Sequence, residues 1–172
     1  MKRKVKLRTR RAAGKRPAKL PPPVRRVSNW PGVLAEFIED KRAEPFDWVK
    51  NNCAFFASDW IARVTGGVDP ARALRRRVTS ALTAARVLRR EGGLAAVVAR
   101  ACARLGCPEI AGGVAQRGDL ALVAVDAAGV AGVAEEAALA VGVVLGRVIA
   151  FAGPGGLVFV PRALAKKAWR VG

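Results

Sequence analysis

Apolar residues recur at helical spacing through the first two thirds of the chain and at strand spacing through the last third. Val33, Leu34, Phe37 and Ile38 share one face of a helix. It opens at Ser28-Asn29-Trp30-Pro31, a capping residue followed by an early proline, and ends by Pro45. Phe46 to Asn52 reads as a polar-aromatic loop. A second helix is expected from Cys53 to Val64, capped by Asn51 or Asn52 and stopped by Gly66-Gly67. Asp69-Pro70 opens a basic helix containing Arg72, Arg75, Arg76 and Arg77. Thr79 or Ser80 opens another that stops at Gly92-Gly93. Leu94 to Leu105 is the last of the series, ended by Gly106.

After Gly118 the pattern changes. Leu120, Leu122 and Val123 mark a strand, and Leu139 to Leu145 a second. Val148 to Phe151 and Leu157 to Val160 are shorter strands around the turn Gly153-Pro154-Gly155-Gly156. Ala163 to Trp169 reads as one or two helical turns. Helices first and strands second indicate an α+β fold, with the helices packed on one side of a C-terminal antiparallel sheet. The most apolar stretch, Ala137 to Phe151, is too short to span a membrane and is broken by Gly142, Gly146 and Arg147.

Composition then narrows the chemistry. The 172 residues suit one domain. There is no histidine and no tyrosine. A Ser-His-Asp or Cys-His apparatus cannot be assembled from this chain alone, and neither can a His-containing zinc site. Cys53, Cys102 and Cys107 have no paired spacing. They suggest a reducing compartment or incidental thiols, and no metal or cofactor is expected.

The net charge of +18 is unevenly placed. Lys2, Arg3, Lys4, Lys6, Arg8, Arg10, Arg11, Lys15, Arg16, Lys19, Arg25 and Arg26 carry twelve positive charges before residue 27, with no acidic residue among them. This segment has few large apolar residues and contains Pro21-Pro22-Pro23, so residues 1–28 are expected to be an extended basic arm and residues 29–172 the domain. Such an arm can contact an acidic protein surface, nucleic acid phosphates or an acidic membrane. No apolar core follows its charges, so it does not read as a signal peptide.

Cys53 falls in the first turn of its helix, where the backbone N–H groups and the helix dipole favour a thiolate. Around it stand Phe46-Asp47-Trp48, Asn51-Asn52-Cys53-Ala54-Phe55-Phe56-Ala57 and Gly66-Gly67-Val68-Asp69. This order resembles the nucleophile segment of the NlpC family of papain-fold cysteine peptidases. Arg117-Gly118-Asp119-Leu120-Ala121-Leu122 resembles that family's Gly-Asp-Leu lead into its first core strand. Ala140-Val141-Gly142-Val143-Val144-Leu145-Gly146 is similar to its His-Val-Gly-Ile strand. The close, Gly156-Leu157-Val158-Phe159-Val160-Pro161 and Ala168-Trp169-Arg170-Val171, is similar to a phage and prophage branch whose members are encoded near tail-tip genes. The resemblance spans roughly residues 29 to 172.

The resemblance implies a papain-like fold with Cys53 at the nucleophile position and Ala140 at the position of the catalytic histidine. A methyl group cannot accept a thiol proton or protonate a leaving amine. The third polar residue of that family would fall near Ala150 to Ala152, also apolar. Asp119, Asp126, Glu135 and Glu136 are the carboxylates in the strand half, and a carboxylate is a poor base for a thiol unless burial raises its pKa. The expectation is a pseudo-peptidase: a structural component of a phage or phage-derived tail tip or baseplate. It would be made in the bacterial cytoplasm and located in the virion, with hub and distal tail proteins as partners of the arm and domain. Two alternatives stand beside it: an active cysteine peptidase or amidase that degrades host peptidoglycan during infection, and a nucleic-acid-binding protein acting through the basic arm.

Overall fold

The computed structural model describes residues 22–125 and 138–172. Five helices come first: α1 (Trp30–Lys41), α2 (Cys53–Val64), α3 (Arg72–Arg75), α4 (Ala81–Glu91) and α5 (Leu94–Arg104). Six strands follow: β1 (Glu109–Ile110), β2 (Leu120–Val125), β3 (Ala138–Val144), β4 (Val148–Gly153), β5 (Gly156–Pro161) and β6 (Ala165–Trp169). They form one open sheet in the order β1-β6-β2-β3-β4-β5, with every neighbouring pair antiparallel. The α+β expectation agrees with this arrangement.

Capping chemistry sets the helix starts. Asn52 is the N-cap of α2 and accepts the Phe55 N–H through Oδ1 at 3.0 Å. Ser80 and Thr83 form a reciprocal capping box on α4, and Gly92 ends that helix in the left-handed conformation (φ +84°). The residues of β2 alternate between the two faces of the sheet. Leu120 and Leu122, with Val141, Val143 and Trp169, pack beneath Leu34, Phe37, Phe56, Trp60 and Val98 of α1, α2 and α5. Ala121 and Val123 join Val144, Ile149, Phe151 and Ala168 on the other face. Trp60 is fully buried, and its indole N–H donates to Gly118 O at 2.8 Å, which joins α2 to the turn before β2.

Gly142 in the middle of β3 allows the close approach of β4. A Cβ there would run into Ala150 O and lie 2.7 Å from Ile149 Cγ2.

Three expectations are corrected. Ala163 to Trp169 is helical only at its start: a 3-10 turn at Arg162–Leu164 leads into β6, which lies between β1 and β2. Alanine and lysine favour helix, but Ala168 and Trp169 are buried in the sheet and supply ladder partners to both neighbouring strands. Tertiary pairing outweighs propensity here. The basic helix is a single turn: Arg76 is the C-cap of α3 and Arg77 lies beyond it. The chain must leave helical geometry there to bury Val78 and reach the extended Ser80 cap.

The third correction concerns the arm. Packed chain begins before Ser28. Val24 N–H donates to Leu105 O at 3.0 Å and Val27 N–H to Val64 O at 2.8 Å. Arg26, expected to face a partner, turns inward. Its Nη2 lies 2.9 Å from Asp119 Oδ1, its Nη1 donates to Arg117 O, its Nε donates to Val171 O, and its guanidinium stacks on Trp30. Asp119 is a buried carboxylate, and Arg26 supplies the opposite charge that it requires.

Candidate functional site

The loop before α2 is pinned to the sheet. Phe46 N–H donates to Gly153 O at 2.8 Å, and Leu157 N–H donates to Arg42 O at 3.0 Å. Asp47 and Asn51 exchange both backbone hydrogen bonds. Asp47 Oδ1 also accepts the Val49 and Lys50 N–H groups at 2.8 and 2.7 Å. These bonds, first from Lys50 and then from Val49, hold the Asp47 carboxyl below its usual pKa. Buried Asn51 donates through Nδ2 to Glu44 O and Pro45 O, and Asn52 donates to Trp48 O. Phe46 and Trp48 meet edge to face at 4.9 Å. The loop thus delivers a rigid start to α2, with Cys53 as its first helical residue.

Cys53 is half-buried and touches both sides of the core, including the cluster that contains Ala140. The two residues line one cavity of about 330 Å³. Phe151 and Ala152 of β4 also line it. Trp48, Phe55, Val78 and Val87 line it as well. Sequence reasoning missed these α3–α4 walls. The only available signal was the apolar spacing Ala84, Val87, Leu88, which buries α4 against Phe55 and Val78.

The electrostatics oppose a nucleophile. Burial pushes the Cys53 thiol above its ordinary value. The backbone N–H groups of Val141, Ala54 and Cys53 favour the thiolate but do not offset that desolvation. Among the described residues that line the cavity, Cys53 is the one ionisable side chain; Asn52 and the Trp48 indole carry the other polar groups. Asn52 is already engaged by Phe55 and Trp48. No described residue that lines the cavity is a base able to take the thiol proton. Asp119 is not among the residues that line the cavity; it pairs with Arg26, and its oxygens also accept the Gln116 and Val171 N–H groups. Asp126, Glu135 and Glu136 lie outside the described residues, as do Lys2, Arg3, Lys4, Lys6, Arg8, Arg10, Arg11, Lys15, Arg16 and Lys19. Of the arm cations that are described, Arg25 is exposed and Arg26 is internal.

The other two thiols are structural. Cys102 and Cys107 are buried at the end of α5; burial raises both, Cys107 to about 11. No group of three metal-ligating side chains exists among the described residues, and no helix among them is long and apolar enough to cross a membrane.

Residues 25–171 match a protein family described as "Domain of unknown function (DUF6950)", and the chain belongs to that family. No curated protein and no solved structure matches it.

Proposed function

We propose that this chain is a catalytically inactive module of papain-like, NlpC-type architecture that serves as a structural component of a phage or phage-derived tail tip or baseplate. The observation that carries the inactive reading is the shared cavity of Cys53 and Ala140. Cys53, at a helix N-terminus, packs against the cluster that contains Ala140, and the resemblance aligns Ala140, a methyl group, with that family's base. The order of the quoted motifs along residues 29–172 supports the tail assignment. A folded surface and a basic arm then bind neighbouring tail proteins, among them hub and distal tail proteins, in the virion.

Two assays test the reading together. Purified particles of the encoding phage or prophage are expected to contain the chain at a fixed ratio to the other tail proteins. The isolated chain is expected to release no soluble fragments from peptidoglycan. Absence of the chain from particles overturns the tail assignment. Hydrolysis that disappears in Cys53→Ala overturns the inactive reading and restores the peptidase.

A further inference from the structure

The folded domain carries a second charged feature, independent of the arm. Residues 30–69, which include α1 and α2, hold seven carboxylates and four cations, whereas residues 70–104, which include α3, α4 and α5, hold nine arginines and Glu91 alone. Arg75 is spent internally: it pairs with Asp59 and Asp69 and stacks on Phe55. Arg77 and Arg100 share the single carboxylate of Glu91, at 3.2 and 2.6 Å. Arg72, Arg76, Arg86, Arg89, Arg90 and Arg104 are exposed and make no ion pair among the described residues. On α4, Ala84 and Val87 are buried, while Arg86, Arg89 and Arg90 are exposed.

Three of these elements meet at a groove. Arg77, Glu91, Arg100 and Arg104 together line a cavity of about 150 Å³. Glu91 holds two of the guanidiniums in place, and its one negative charge leaves the trio with an excess of two positive charges.

We infer that the α3–α5 face is a binding surface for the phosphate backbone of duplex nucleic acid, with the Arg77–Arg100–Arg104 groove receiving one phosphate. Every cation on this stretch is arginine, whose planar fork matches phosphate oxygens in pairs. Residues 70–107 contain no aromatic side chain to stack on unpaired bases, which disfavours a single strand. Leu82 is the one large apolar side chain exposed there, too little to insert into a bilayer. Binding through phosphates alone is independent of base sequence and steeply salt-dependent. This goes beyond the tail assignment and stands or falls apart from it.

The test uses the full chain and a mixed-sequence 20-base-pair DNA duplex, titrated at several salt concentrations. The variant Arg86→Gln/Arg89→Gln/Arg90→Gln removes exposed side chains that make no ion pair among the described residues. A control, Arg117→Gln/Arg147→Gln/Lys166→Gln, removes the same charge from other exposed positions. The face variant is expected to bind about tenfold or more weakly at low salt. Its slope of log K against log salt is expected to be smaller by roughly 0.9 for each phosphate that is no longer neutralised. The control is expected to keep the wild-type slope, and the two variants to share one denaturation midpoint with the wild type. A second variant, Arg72→Gln/Arg76→Gln/Arg104→Gln, is expected to weaken binding likewise. Equal weakening in the face and control variants, an unchanged slope in the face variant, no duplex binding at low salt, or preferential binding to vesicles containing phosphatidylglycerol would each overturn the inference.

Discussion

Arg26 and Asp119 form an ion pair at 2.9 Å that ties the first packed residues to the start of β2. The same carboxylate accepts the Val171 N–H at 3.2 Å, and Arg26 donates to Val171 O, so both ends of the domain close on one charge pair. Asp119 is 1% exposed and Arg26 13%. Gly118, at φ +87°, leaves room for this: a Cβ there would lie 2.8 Å from Arg26 Nη1.

Removing either partner orphans a charge away from water. Arg26→Ala is expected to cost about 3 kcal/mol, the low end for breaking a buried pair. Truncation at Ser28, which removes Val24 and Val27 as well, is expected to cost at least as much. Urea unfolding of both variants checks this. A change under about 0.5 kcal/mol would place the boundary of the domain after Arg26.

Gly142→Ala is expected to destabilise by about 1–3 kcal/mol, because the new methyl meets Ala150 O and Ile149 in a packed sheet. Thermal unfolding reports it. An unchanged midpoint would mean that β4 can withdraw at no cost.

Stability is expected to fall in alkali. Burial raises all three thiols above 9.0 in the folded chain, Cys107 to about 11. Below pH 9 both folded and unfolded thiols are neutral, and this contribution is complete. Above it the unfolded thiols ionise first, so stability drops as pH rises through the folded values. Urea midpoints between pH 8 and 11 should decline, and less so in Cys102→Ala/Cys107→Ala, measured against its own value at pH 8. An equal decline in that variant would assign the effect to other groups.

Local signals carried most of the fold. Asn52, Ser80 and the Gly92-Gly93 stop mark α2 and α4 through bonds to neighbours in sequence, and the β2 to β5 strands show in their apolar runs. Long-range pairing was not legible. β6 is built from Ala-Lys-Lys-Ala-Trp, and only its place beside β2 makes it a strand. Arg26 looks like every other cation of the arm, and its partner is Asp119, far along the chain. Cys53 could be placed at a helix start from its cap, but its neighbour Ala140 is unremarkable except through the family resemblance. The clustering of arginines around Glu91 needed the helices folded back on one another.

Ala140→His places a base in the cavity. The imidazole is expected to draw the Cys53 proton and raise the thiol alkylation rate at pH 7 at least tenfold over the wild type, with a new inflection near the histidine pKa of about 6.5. An unchanged rate in a folded variant would show that position 140 does not address the sulfur.

The most direct test of an inactive cysteine is the pH dependence of Cys53 alkylation in the wild-type chain, followed peptide by peptide so that Cys102 and Cys107 are resolved. The expected profile is slow at pH 7 and rises only above 9.0, because burial raises the thiol and no described residue lining its cavity is a base. A rapid reaction with an inflection at or below pH 7 would contradict the account.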